Sequence, residues 1–214
     1  MVLSGCAGIG QPAPYDSPGI NGLEIPTPSP APDDFVEVVD NPWHALEPGA
    51  TWHYDVTADG RDLGSIDAEV LDGSSDVAGL SATGVRTTTE IDGDSEDETR
   101  FYAQDEDGNV WLVAVDSAGL SWRAGEDGAE AGLAMPADPR LGDGWLTFSV
   151  PDLLEASTTV EDQSRDMVQT LQTGSAGIGE SEAATTTRRV YASGVGLVSI
   201  EDLDAGWQAL LDQG

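Results

Sequence analysis

The sequence predicts a mainly all-β domain: an antiparallel meander curled into a barrel, half-barrel or sandwich, with a short helix at its C-terminus. Three observations carry that expectation. Apolar residues recur at every second position in segment after segment, the period of a half-buried strand. Asp-Gly and other Gly-rich turns separate those segments at short intervals, which suits hairpins rather than crossovers. A helical period occurs only at the end of the chain.

The folded domain is expected to span 35–214. Trp52, Tyr54 and Val56 alternate with polar neighbours in TWHYDV, and Asp59-Gly60 forms a favoured hairpin turn. Ile66, Ala68 and Val70 make the return strand, which a DGSS loop ends. Val85, Thr87, Thr89 and Ile91 follow, rich in the β-branched residues that suit a pleated surface. Asp92-Gly93 and the acidic run DSEDE read as a solvated hairpin tip, with a new strand starting at Phe101 and Tyr102. That strand turns at Asp105–Asn109 into VWLVAV, apolar on both faces and expected to be central. Leu120 and Trp122 predict a short strand, and the turn-rich GEDGAEAGLAMPADPRLGDG is expected to plug the core with Leu133, Met135 and Leu141.

Residues 145–150 predict another strand, and PDLLEA one helical turn behind Pro151. MVQTLQT, TTTRRVYA and GVGLVSI read as the remaining strands, with 173–184 as a loose Gly- and Ser-rich loop. In DLDAGWQALLDQG, Leu203, Trp207, Leu210 and Leu211 fall at helical spacing. Asp202 is placed to cap a helix over about 202–212, and Gly214 to end it.

The N-terminus carries an address. Leu3-Ser4-Gly5-Cys6 is a lipobox pattern, in which the Cys thiol takes a diacylglycerol and becomes the first mature residue. Cys6 is the only cysteine, so no disulfide framework competes for it. Residues 1–5 read as a truncated signal, since a signal peptide needs a basic region and roughly 7–15 apolar residues. A leader upstream of Met1 is therefore expected. Residues 6–34 hold seven of the twelve prolines and few apolar side chains, which predicts an extended, disordered tether. Together these features predict a lipid-anchored protein of the cell envelope, on the outer face of the membrane.

Forty acidic residues stand against eight basic ones, all Arg, for a net charge of −32. Such a field repels nucleic acid and anionic lipid surfaces, so attachment would fall to the acyl anchor. A solvated, salt-adapted surface is the simplest account of the excess. No run of 18 apolar residues predicts a spanning helix.

Four stretches, NPWHALEPGATWHYDV, FYAQDEDGNVWLV, SWRAGEDGAEAGLAMPADPRLGD and VYASGVGLV, run in order from Asn41 to Val198. As a set they resemble an uncharacterised family of bacterial exported and lipoprotein β-rich domains. The resemblance implies an exported β domain and supplies no catalytic residue. The chain departs from it at Trp43-His44 and His53, where aromatic or aliphatic residues are expected, in its more acidic loops, and in the closing Trp207 segment.

Candidate chemistry is sparse. Asp105, Asp107 and Asn109 have the spacing of the first half of a calcium loop, where alternate oxygens converge on a hard cation. The chain then enters a strand rather than the helix an EF-hand requires, so a hairpin turn using Asx hydrogen bonds is the competing reading. His44 and His53 are the only histidines, too few for an ordinary zinc site. No Gly-x-Ser-x-Gly elbow accompanies them. Trp52, Trp111, Trp122 and Trp145 are expected in the core, or around an apolar groove inside the curled sheet. The first expectation is a non-catalytic β domain that binds a small apolar ligand or a protein, or serves the envelope structurally. A calcium-stabilised binding module and a secreted hydrolase using His44 or His53 are the alternatives.

Overall fold

The structure is a computed structural model that describes residues 32–119, 121–150, 155–174 and 185–212. Cys6, the tether up to residue 31, Leu120, the turn expected at Pro151 and most of the 173–184 loop lie outside the described residues.

A 3₁₀ turn at Pro32–Asp34 leads into β1 (Phe35–Val36), β2 (Thr51–Ala58), β3 (Arg61–Val70), β4 (Ser75–Val77), β5 (Leu80–Ile91) and β6 (Asp94–Asp105). Then follow β7 (Val110–Ser117), β8 (Ser121–Arg123), β9 (Gly132–Met135), β10 (Gly144–Ser149) and β11 (Glu155–Gln163). The last four are β12 (Met167–Gly174), β13 (Thr185–Ala192), β14 (Gly196–Asp202) and β15 (Trp207–Leu211).

The fold is all-β and antiparallel, and the sheet is not closed into a barrel. Its hydrogen-bonded path runs β10-β11-β12-β13-β14-β15-β2-β3-β5-β6-β7-β8, with β1 on β6, β4 on β5 and β9 on β7. Two meanders, one on each side of the β15–β2 ladder, thus form one sheet. The far ends also meet: Glu130 bridges to Ser149, and β9 approaches β10 so closely that a Cβ on Gly132 would lie 1.8 Å from the Thr147 carbonyl oxygen. Register shifts interrupt six of the ladders. Such bulges bend and over-twist a strand, which lets one sheet fold over itself.

Local chemistry explains most elements. Asp59-Gly60 and Asp92-Gly93 all have positive φ, as a two-residue hairpin turn demands. β7 is buried on both faces over VWLVAV, paired with β6 on one side and β8 and β9 on the other. Around it lies the main core, which includes Trp43, Trp111, Trp122, Trp145, Leu133 and Met135. A second, smaller cluster of Tyr54, Val56, Ile66 and Ala209 sits on the β15–β2–β3 part of the sheet.

The structure corrects four expectations. The helix over 202–212 is absent. Residues Asp204–Gly206 form a turn, with Gly206 at φ 74° and Asp202 Oδ1 accepting from the Asp204 and Ala205 amides. The remainder is β15, in which Trp207, Ala209 and Leu211 pack at period 2 while Leu210 stays 47% exposed. The competing period won because β2 offers an open ladder, registering Ala209 on Val56 and Leu211 on Tyr54. The acidic run 94–98 is not a tip either; it belongs to β6 and pairs with the Thr-rich end of β5. Leu141, expected as a core plug, is 65% exposed, whereas Leu133 and Met135 are buried. EASTTVEDQ, missed in the sequence, is β11, with Ala156, Thr158 and Val160 facing inward.

The strand assignment of β15 makes an asymmetric prediction. Leu210→Lys should change stability by less than about 0.5 kcal/mol, because the side chain already meets water. Ala209→Lys places an unpaired charge in a fully buried position and should cost ~3 kcal/mol or more. Urea unfolding of the two variants checks this, and a helix would give a different ranking.

Candidate functional site

Between the main core and the second cluster the folded sheet leaves a cavity of about 1030 Å³. Trp52 and Leu197 pack against both clusters and so stand at the junction. The cavity has two kinds of wall. One is apolar, built by Leu63, Ile66, Ile91, Leu197, Ile200 and Trp207 from β3, β5, β14 and β15. The other is polar, built by Thr147, Thr158, Thr170, Gln172, Thr187 and Arg189 from β10 to β13. Alternation brings each set to one face of its strand. Thr147 and Thr158 satisfy each other, their hydroxyl oxygens 2.6 Å apart.

The rim and the floor differ in charge. Asp92, Asp94 and Glu96 line the exposed rim on the β5–β6 hairpin, with Asp202 across from them on β14. Further along β6 and β13, toward the interior, lie Glu98, Arg100 and Tyr102, and Arg189 and Tyr191. Arg100 Nε donates to Glu98 Oε1, and these side chains are 24% and 15% exposed. Burial disfavours the charged Arg100 guanidinium, but Glu98 and the Tyr102 hydroxyl more than offset that and leave its pKa raised. Arg189 differs. Its Nη1 donates to Gln172 Oε1 at 2.6 Å, and no carboxylate lies within ion-pair distance among the described residues. Burial pulls its pKa below the usual arginine range, with Arg100 adding to the fall and Tyr191 opposing it. Burial also raises the Tyr102, Tyr191 and Tyr54 phenols; the Tyr54 hydroxyl donates to the Leu197 carbonyl at 2.9 Å.

His44 completes the floor. Its ring meets Tyr102 edge to face at a centroid distance of 4.8 Å and lies 6.5 Å from Tyr191. Its Nε2 is buried with no hydrogen-bond partner among the described residues. Burial, and secondarily Arg100, lower its pKa to about 4, so it is a neutral imidazole at pH 7. His53 is elsewhere, exposed on the outer face of β2. Its Nδ1 lies 2.7 Å from Asp67 Oδ1, and that hydrogen bond raises its pKa. The two histidines are thus not brought together.

At the other sequence candidate, Asp105 Oδ1 accepts from the Asn109 amide at 2.9 Å and Oδ2 from Trp111 Nε1 at 2.8 Å. Asn109 Nδ2 reaches the same carboxylate, and Asn109 Oδ1 accepts from the Ala137 amide. Those oxygens tie the β6–β7 turn to the loop after β9, while Asp107 is exposed. Of the Trp residues, Trp111, Trp122 and Trp145 fill the core, whereas Trp52 and Trp207 line the cavity. Sequence reasoning missed Arg100 and Arg189. The available clue was an Arg at an inward-facing strand position in a chain with only eight basic residues.

Fold and cavity define an antiparallel β domain with a two-sided hollow that opens to solvent at an acidic rim. No protein-family model, no curated protein and no solved structure matches the chain.

The buried imidazole makes stability pH-dependent with a definite sign. Above pH 6.5 His44 is neutral in both folded and unfolded states, and its titration contributes nothing to stability. As pH falls from 6.5 toward 4 the unfolded chain takes up the proton first, so stability drops, by up to about 3 kcal/mol once both pKa values are passed. His44→Phe keeps the aromatic contact and removes the titration. Unfolding free energies at pH 7 and pH 4 should differ less in His44→Phe than in the native chain by about that amount.

Proposed function

We propose that this protein is a non-catalytic, ligand-binding β domain held on the outer face of a bacterial membrane. The cavity of about 1030 Å³ carries the reading. It falls at the upper end of small-molecule sites, which span roughly 300–1,000 Å³ and combine apolar walls with a few fixed polar groups. A packed domain leaves few voids larger than a water molecule, so a hollow of this size between two core clusters needs a purpose. The sheet is best understood as a half-barrel: the β15–β2 ladder forms its back, and the β9–β10 approach draws its ends together. The ligand is a small apolar molecule that lies along Leu63, Ile66, Ile91 and Ile200. The lipobox at Cys6 and the Pro-rich tether 6–34 support the location. At roughly 3.1 Å per residue, a fully extended tether lets the domain reach some 90 Å from the bilayer.

Two measurements test this. A neutral naphthylamine probe should brighten on addition of the domain. Ala68→Trp, which fills the hollow from β3, should weaken that binding about tenfold while shifting the melting temperature by less than about 5 °C. Equal binding by both forms rules the cavity out. In cells carrying the full gene, Cys6→Ser should move the protein from the membrane fraction to the soluble fraction; retention in the membrane rules out the lipid anchor.

A further inference from the structure

Arg189 sets the chemistry of the occupant. It is one of only eight basic residues in a chain of net charge −32, yet it points into the hollow rather than into the acidic surface. Carboxylates pair with Arg86, Arg100, Arg123, Arg140 and Arg188. Arg189 has only the Gln172 amide oxygen among the described residues. A guanidinium presents five N–H donors in a rigid fork that matches carboxylate and phosphate oxygens. A desolvated cation with most of those donors unused is costly to hold, and an anion from outside the chain removes that cost.

The neighbourhood suits an anion. Arg100 faces the same space, its guanidinium held by Glu98, so a second arginine lines the hollow beside Arg189. Tyr102, Tyr191 and His44, whose Nε2 has no hydrogen-bond partner among the described residues, line the same hollow. The apolar wall begins directly alongside, because Arg189 registers on Ile200 of β14, a residue that packs on the second cluster. From Arg189 the polar side of the cavity follows Thr187 and Thr185 toward Asp202 at the rim. Four strand residues cover roughly 13 Å. An apolar chain leaving the guanidinium would therefore run past Ile200 and Ile66 and reach Leu63, Ile91 and Trp207 at the mouth.

We propose that the cavity binds a single-chain amphiphile head first, with its carboxylate or phosphate on Arg189 and its hydrocarbon along the Ile66–Ile200 wall. The inference rests on the cavity reading above and adds the head group and the orientation. The rim carboxylates Asp92, Asp94, Glu96 and Asp202 disfavour free anions near the mouth. The hydrocarbon supplies the attraction that small anions lack.

Competition against the naphthylamine probe tests it, using dodecanoate, dodecyl phosphate, dodecanol and, as free anions, acetate and inorganic phosphate. The native chain should bind dodecanoate or dodecyl phosphate at least about tenfold more tightly than dodecanol, and neither free anion at millimolar concentration. Arg189→Met should abolish the preference by weakening the anionic amphiphiles to about the affinity of dodecanol, with a melting temperature equal or higher because a partly buried charge with no carboxylate beside it is gone. Arg189→Lys should restore part of the preference. Equal binding of dodecanol and the anionic amphiphiles to the native chain overturns the head-group assignment but leaves the cavity reading standing. Loss of dodecanol binding in a folded Arg189→Met also overturns the assignment. Tight binding of inorganic phosphate alone replaces the amphiphile by a free anion and overturns it. If the naphthylamine probe and every amphiphile fail to bind, the cavity reading fails and the inference with it.

Discussion

The β15–β2 ladder is the interaction on which the rest of the structure depends. Each meander is a run of hairpins whose inner faces carry apolar and threonine side chains in alternation. Neither can bury that face alone, and no α-helix exists among the described residues to cover it. Pairing Gln208–Leu211 with Tyr54–Thr57 turns two meanders into one sheet, and bulges then bend that sheet until β9 meets β10. A sheet without covering helices has to bury its face against itself.

The consequence is an uneven interior. At the β7 end, Trp, Leu, Met, Val and Phe side chains from both meanders pack into one buried cluster. At the β15 end the facing residues are Thr and Gln on one side and medium aliphatics on the other, too small and too mismatched to close the gap. The hollow follows from side-chain volume and polarity at inward positions rather than from a separate architectural device. Burial beside that hollow also desolvates Arg189 and the His44 imidazole. Burial lowers the pKa of Arg189 and of His44, with Arg100 adding to both falls, whereas Glu98 and Tyr102 keep that of Arg100 raised.

Charge is divided by depth. The outside and the rim are acidic, and Arg100 and Arg189 lie deeper, beside Glu98. Surface carboxylates far from one another are screened within about 10 Å at 0.1 M salt, so they have little direct hold on the interior. The buried guanidinium sits where screening is weak. A chain with few positive charges has committed two of its eight arginines to this hollow.

The sequence by itself determined the local grammar: all-β character, the Asp59-Gly60 and Asp92-Gly93 turns, the doubly buried VWLVAV strand and the lipobox pattern at Cys6. These are legible because turn chemistry and period-2 burial act between neighbours in the chain. The tertiary structure alone decided the fate of residues 202–212, where Leu203, Trp207, Leu210 and Leu211 fit a helical stripe and Trp207, Ala209 and Leu211 fit a strand equally well. A vacant edge on β2, about 150 residues earlier in the chain, selects the strand. The cavity was equally invisible. Thr170, Gln172 and Arg189 alternate like any solvent-facing set, and only the folding-over of the sheet turns that polar face inward against Ile66 and Ile200. Periodicity reports that two faces exist. Which face becomes an interior, and what it encloses, depends on contacts between residues far apart in the chain.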